Sequence, residues 1–224
     1  LLSLTQDEAE HGVIAASAGN HGMAVAFHSR RLNVESTIVM PVHAPLIKVG
    51  RVRLYGAQAI LYGEDYDGAF TEAQRLSQER ALAFLHAFND PTIIAGQGTI
   101  GLELYEQNSQ LDAAIVPVGG GGLIAGIALV LKVLNPRIRI IGVQAEVIPS
   151  MKAALEKGEP ISLAPATTIA DGIAVRKVGE TALDLVKKHV DEIVTVSEGE
   201  IANAVLLLLE IEKTVAEGAA AAPL

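Results

Sequence analysis

The chain has 224 residues, of which half are apolar and 19% are charged, so it can bury a substantial core. The formal net charge of −9, with no block rich in Lys or Arg, argues against nucleic acid as a partner. The chain contains no cysteine, which excludes disulfides, thiolate metal ligands and a cysteine nucleophile. The first residues do not resemble a signal peptide, and we therefore expect a cytoplasmic protein.

The N-terminal residues predict a short helix followed by a buried strand. Thr5 is suited to be the N-cap of the helix, Glu8 completes a capping box, and Gly12 suits the C-terminal end. The run Val13–Ala16 is apolar without alternation, which is typical of a strand buried on both faces in a parallel sheet.

The same alternation of strand and helix continues along the chain. The further predicted strands are Thr37–Met40, Ala59–Leu61, Ala113–Val118, Arg139–Val143 and Glu192–Val196. The further predicted helices are Ala44–Leu54, Tyr66–Arg80, Ile124–Leu134 and Ile201–Leu209. Strands that alternate with helices indicate βαβ units, so the predicted fold class is α/β with parallel, twisted sheets.

The uncharged stretch Ala113–Leu131 is about as long as a membrane-spanning helix. Pro117 and the glycines 119–122 would break such a helix in the middle. We therefore predict a buried strand, a tight loop and a buried helix, and no membrane segment.

The four consecutive glycines Gly119–Gly122 lie between that strand and that helix. Successive glycines let a backbone wrap closely round an anion, and a helix N-terminus adds N–H groups and partial positive charge. The spacing matches neither G-x-G-x-x-G nor G-x-x-x-x-G-K-[ST], which favours a small phosphate held by the backbone over a nucleotide. A tight turn without a ligand is the alternative.

A second junction of a strand with a helix carries polar residues, in the segment Ser17–Gly22. Ser17 and Asn20 could cap a helix that starts near His21. The segment also offers backbone N–H groups, a hydroxyl and an amide, which suit a carboxylate ligand. The residues alone leave both interpretations open.

Four motifs occur in the same order as in one enzyme family. They are Ser17–Ala18–Gly19–Asn20–His21–Gly22, Gly96–Gln97–Gly98–Thr99, Val118–Gly119–Gly120–Gly121–Gly122–Leu123 and Ala170–Asp171–Gly172–Ile173–Ala174–Val175. In these motifs the chain resembles the threonine and serine dehydratases, which are fold-type II, tryptophan-synthase-β-like pyridoxal phosphate enzymes. The resemblance implies two open, twisted parallel-sheet lobes, a smaller one over residues 1–96 and a larger, partial one over residues 97–224.

The resemblance also implies a role for each motif residue. The residues expected to hold the phosphate of pyridoxal 5'-phosphate are Gly119, Gly120, Gly121, Gly122 and Leu123. Asn20 would hydrogen-bond the phenolic oxygen of the pyridine ring, and Gly172 would lie beside the ring. The residues expected to hold the substrate carboxylate are Ser17, Ala18, Gly19, Asn20 and His21.

Two family motifs do not occur in this sequence. The lysine that forms a Schiff base with the cofactor lies in a Ser-Phe-Lys-x-Arg-Gly motif before the Asn20 segment, and no such motif is present. Lys48 follows that segment, so its order is wrong for the role. A C-terminal Ser-Gly-Gly-Asn motif is also absent. We therefore expect a fragment truncated at both ends that has no turnover by itself, with no catalytic residue among these 224.

The expected activity of the full-length enzyme is dehydration and deamination of L-threonine or L-serine to a 2-oxo acid and ammonia. A serine racemase of this class carries a second serine where this chain has Ala18, and a methyl group cannot transfer a proton. A non-catalytic phosphate- or cofactor-binding module is the other alternative. The acidic metal ligands of some members are not matched around Gln144–Ser150, so we predict no metal site. A small amino acid is the expected substrate, and the full-length protein is expected to be a homo-oligomer.

Overall fold

The computed structural model describes all 224 residues, which form two compact units, Leu1–Ala87 and Phe88–Leu224. The boundary predicted after residue 96 falls inside a helix, Pro91–Gln107. That helix begins at Pro91 because Asp90 is its N-cap, and the Asp90 Oδ1 atom accepts hydrogen bonds from the backbone N–H groups of Thr92 and Ile93.

The first unit contains a four-stranded parallel sheet in the order β3-β2-β1-β4. Its strands are β1 (Val13–Ala16), β2 (Ser36–Met40), β3 (Gln58–Leu61) and β4 (Ala83–Phe84), and its helices are α1 (Gln6–His11), α2 (Asn20–Leu32), α3 (Leu46–Leu54) and α4 (Tyr66–Arg80). All four residues of β1 are buried, as its apolar sequence predicted. The sheet has a core on each face, one with α2 and α3 and the other with α4.

The second unit contains a three-stranded parallel sheet in the order β5-β6-β7. Its strands are β5 (Ala113–Pro117), β6 (Arg139–Ala145) and β7 (Glu192–Val196), and its helices are α5 (Pro91–Gln107), α6 (Gly122–Leu134), α7 (Ser150–Lys157), α8 (Glu180–His189), α9 (Glu198–Glu210) and α10 (Gly218–Ala221). A short 3₁₀ helix spans Asp171–Ile173. The main core of this unit lies around α6, which packs against α5 and α8.

The predicted order of strands and helices is confirmed, and so is the capping box of α1. The Glu8 Oε2 atom accepts a hydrogen bond from the Thr5 backbone N–H at 2.8 Å, and the Thr5 hydroxyl accepts one from the Glu8 N–H at 3.3 Å. Helix α9 begins before the predicted Ile201, because Ser197 and Glu200 form a second capping box. Strand β4 was not predicted, since two residues are too short to show a pattern.

The uncharged stretch 113–131 is a strand, a loop and a helix, as predicted. None of the helices is both long enough and apolar enough to cross a membrane. The strand was predicted to be buried, but only one face of β5 is buried, since Ile115 is 52% exposed while Ala114 and Val116 are buried. The physical reason is that only one face of β5 packs into the core around α6, and no hydrophobic core covers the face that carries Ile115.

Candidate cofactor and substrate sites

The glycine segment forms the corner between β5 and α6 in the second unit. Gly121 has a φ of 97°, in the left-handed region that a residue with a side chain rarely adopts. Gly122 is the first residue of α6, so the corner includes the unpaired N–H groups of that helix N-terminus. We define the phosphate corner as residues 119–123.

The phosphate corner is anchored through carbonyl groups and leaves its N–H groups unused. The Gly120 carbonyl accepts a hydrogen bond from the Gly179 N–H at 3.2 Å, and the Gly121 carbonyl accepts one from the Ala125 N–H at 3.0 Å. No hydrogen bond within the protein has a backbone N–H of residues 119–123 as its donor, although residues 120–122 are buried. Buried N–H groups without an acceptor are rare in proteins, so this run of donors fits an anion such as a phosphate.

Close packing explains why the phosphate corner is made of glycines. A Cβ atom on Gly120 would overlap the ring of Phe88, and one on Gly122 would lie 2.6 Å from the Phe88 carbonyl oxygen. A Cβ atom on Gly121 would lie 2.5 Å from the Met151 Cε atom. Packing alone would also account for a tight turn without a ligand, but it does not account for the unused N–H groups.

The Ala-Asp-Gly segment lies next to the phosphate corner. A Cβ atom on Gly119 would be 3.1 Å from the Cα atom of Ile173, the residue after Gly172. Gly172 itself is exposed, and a Cβ atom there would meet the Ala219 side chain at 3.0 Å. The structure thus brings the Ala-Asp-Gly motif next to the predicted phosphate site.

The Gly-Gln-Gly-Thr motif packs helix α5 against helix α6. A Cβ atom on Gly98 would lie 3.3 Å from the Gly126 carbonyl oxygen, and one on Gly101 would lie 3.1 Å from the Ile127 carbonyl oxygen. A Cβ atom on Gly126 would be 2.7 Å from the Gly98 backbone nitrogen. These glycines let two helix backbones approach closely, and they thereby fix the helix whose N-terminus forms the phosphate corner.

Asn89 helps to hold the elements around the phosphate corner, a role that the sequence did not indicate. Its Oδ1 atom accepts a hydrogen bond from the Thr181 backbone N–H at 3.0 Å, at the start of α8. The N-cap of α8 is Gly179, which has no side chain to cap the helix. Asn89 therefore caps α8 from a distant part of the chain, and the same helix start is bonded to the Gly120 carbonyl through the Gly179 N–H.

The segment Ser17–Gly22 lies in the first unit, at the junction of β1 and α2. The Ser17 hydroxyl accepts a hydrogen bond from the Gly19 N–H at 3.1 Å. The N-cap of α2 is Gly19, so neither Ser17 nor Asn20 occupies the N-cap position of that helix. No hydrogen bond within the protein uses the backbone N–H of Ala18 or His21, so both donors remain for a ligand.

The His21 ring forms a hydrogen bond within the first unit. Its Nε2 atom lies 3.1 Å from the Leu85 carbonyl oxygen, which can only accept, so the proton is on Nε2 in the neutral ring. Burial lowers the pKa of the imidazole below its usual range. The ring therefore links the start of α2 to Leu85, just after β4, and the backbone N–H is the donor of His21 that makes no hydrogen bond within the protein.

This buried, neutral imidazole predicts a loss of stability in mild acid. The folded-state pKa of His21 is lowered, so the unfolded chain binds more protons just below the ordinary histidine pKa of about 6.5, and stability falls as pH falls. We expect the free energy of unfolding to decrease less between pH 7.5 and 5.5 in His21→Gln than in the wild type. Urea denaturation at several pH values across that range measures the free energy of unfolding of each protein. His28→Gln, an exposed position on the same helix, is the control, and equal slopes in all three proteins would contradict the prediction.

Comparison with known proteins identifies the family. A family model described as "Pyridoxal-phosphate dependent enzyme" matches residues 1–224. An L-threonine ammonia-lyase from Thermotoga maritima is 50% identical over 221 residues, which are 99% of this chain and 55% of that protein. The structure of processed threonine deaminase isoform 2 from Solanum lycopersicum has a TM-score of 0.95 at 39% identity, covering 99% of this chain and 65% of the other. Maize serine racemase has a TM-score of 0.94 at 33% identity, covering 98% of this chain and 67% of the other.

The chain belongs to the family of pyridoxal-phosphate dependent enzymes and, within it, to the threonine dehydratases. This confirms the resemblance, the α/β fold of tryptophan-synthase-β-like enzymes and the cofactor expected for the family. The chain spans 55% of the length of the Thermotoga maritima relative.

Proposed function

We propose that the complete protein containing this chain is an ammonia-lyase that depends on pyridoxal 5'-phosphate and converts L-threonine or L-serine to a 2-oxo acid and ammonia. The proposal is supported by similarity to an L-threonine ammonia-lyase and to a threonine deaminase. The observation that carries it is the run of unused backbone N–H groups in the phosphate corner, which suits the phosphate of the cofactor.

In this proposal the residues of the chain bind the cofactor and the substrate, and the cofactor supplies the electronic chemistry. The backbone N–H groups of residues 119–123 would hold the phosphate. The resemblance assigns to the Asn20 amide a hydrogen bond with the phenolic oxygen of the ring. When bound, the cofactor would supply a conjugated ring that can take up the electron pair of the substrate Cα–H bond. The hydroxyl of Ser17 and the backbone N–H groups of Ala18 and His21 would hold the substrate carboxylate and orient the substrate.

The proposed activity belongs to the full-length protein, because the lysine motif of the family does not occur in these 224 residues. Homo-oligomerisation of the full-length protein and its cytoplasmic location stay predictions from the resemblance and from the sequence.

The test is to incubate the full-length protein with pyridoxal 5'-phosphate and L-threonine and to measure 2-oxobutanoate and ammonia. We expect equal amounts of both products. Chiral analysis of the same mixture tests the racemase alternative, which the similarity to maize serine racemase favours and the methyl group of Ala18 opposes. Formation of a D-amino acid without 2-oxobutanoate would refute the lyase proposal.

A further inference from the structure

Gln144 is a fully buried polar residue of strand β6 that contacts the residue before the phosphate corner. Its side chain is 1% exposed and makes three hydrogen bonds. The Nε2 group donates to the Val118 carbonyl oxygen at 3.2 Å. The Oε1 atom accepts from the backbone N–H groups of Met151 and Lys152, both at 3.0 Å. The orientation of the amide is fixed by this network, since a flipped amide would turn its NH₂ group toward two N–H donors.

The bond to Val118 fixes the direction of a donor in the phosphate corner. The Val118 carbonyl and the Gly119 N–H belong to one peptide unit, which is planar and trans, so the two groups point in opposite directions. Gln144 holds the carbonyl, and it therefore also sets where the Gly119 N–H points. That N–H donates to no atom of the protein.

The other end of the Gln144 side chain fixes the start of helix α7. Pro149 is the N-cap of α7 and provides no side-chain hydrogen bond, so the Gln144 oxygen takes over the capping of two N–H groups. Met151, in the first turn of α7, packs against Gly121, where an added Cβ atom would be 2.5 Å from the Met151 Cε atom. One amide thus supports the phosphate corner at residue 118 and, through α7, at Gly121.

We propose that Gln144 is a positioning residue for the phosphate of the cofactor, which deepens the proposed function and rests on it. Gln144 does not touch the phosphate. It holds the Gly119 N–H and the Gly121 turn in the orientation that binds the phosphate, so that binding requires no rearrangement of the backbone.

The experiment compares the affinities of the full-length protein for pyridoxal 5'-phosphate and for pyridoxal, which lacks the phosphate. In Gln144→Glu the side chain keeps its size and can still accept from the start of α7, and at a pH where the buried carboxyl is ionised it cannot donate to the Val118 carbonyl. Gln144→Met keeps a similar volume and removes all three hydrogen bonds. Ser150→Ala is the matched control, because Ser150 is buried beside Met151 and its hydroxyl makes no hydrogen bond.

We expect both Gln144 variants to lose about tenfold in affinity for pyridoxal 5'-phosphate, the effect of about one charge-assisted hydrogen bond, and to keep the wild-type affinity for pyridoxal. Ser150→Ala is expected to bind both compounds as the wild type does. An equal loss for both compounds, or no loss in either Gln144 variant, would overturn the inference. A wild-type protein that binds the two compounds equally well would instead overturn the proposed phosphate site, so the two failures are distinguishable.

Discussion

Replacement of Gly120 by alanine is expected to lower the affinity of the full-length protein for pyridoxal 5'-phosphate about a hundredfold, the cost of about two charge-assisted hydrogen bonds. The new Cβ atom would overlap the Phe88 ring, with its Cδ1 atom only 2.5 Å away. The loop must therefore shift away from Phe88, and the N–H groups of the phosphate corner shift with it. Equilibrium dialysis of the apoprotein against the cofactor measures the change, and circular dichroism verifies that the variant is folded.

A double-mutant cycle distinguishes this displacement from a general loss of structure. Phe88→Ala removes the ring that the new methyl group meets, so Gly120→Ala is expected to cost much less affinity in that background. Gly199→Ala is the control for the added methyl group, because a Cβ atom there meets only the Ser197 hydroxyl at 3.9 Å. An undiminished affinity in Gly120→Ala, or the same loss with and without the Phe88 ring, would contradict the role assigned to the loop.

Replacement of Gly126 by alanine is expected to lower the free energy of unfolding by about 3 kcal/mol, the upper range for forcing an extra methyl into a packed core. Gly126 is buried where α6 crosses α5, and its added Cβ atom would overlap the Ile94 carbonyl oxygen and lie 2.7 Å from the Gly98 nitrogen. These contacts are with backbone atoms, so a side chain cannot rotate away and the helices must separate. Urea denaturation monitored by circular dichroism measures the change.

The control for this prediction lies on the facing helix. Gly96 is exposed on α5, and a Cβ atom there meets nothing within 4 Å. Gly96→Ala is therefore expected to stabilise the protein by about 0.5–1 kcal/mol, because alanine loses less conformational entropy than glycine in a helix. If the two substitutions changed stability by the same amount, the close packing of α5 on α6 would not be the reason for the glycines.

The sequence predicted the strands and helices well where the signal is local. The capping box Thr5–Glu8 and the apolar run Val13–Ala16 each determine one element through neighbouring residues, and both elements were confirmed. The exposure of Ile115 could not be predicted in the same way. It depends on which face of β5 packs against other elements, and that packing is a property of the whole unit.

The candidate sites show the same difference between local and distant information. The glycines of the phosphate corner are adjacent in sequence, so their chemistry could be inferred from the residues alone. Asn89 accepts a hydrogen bond from the N–H of Thr181, 92 residues later in the first turn of α8, and Gln144 donates to a carbonyl 26 residues away. No spacing rule connects such pairs, so their supporting roles appear only in the folded chain.

The order of the first sheet also bears on how the protein folds during synthesis. All of its strands, and the hydrogen bonds that pair them, come from residues 1–87. These residues leave the ribosome before residues 88–224, and domains generally fold as units during translation, the earlier one first. The nascent chain can therefore complete this sheet, with the Ser17 segment in place, while the glycines of the other site are still being added.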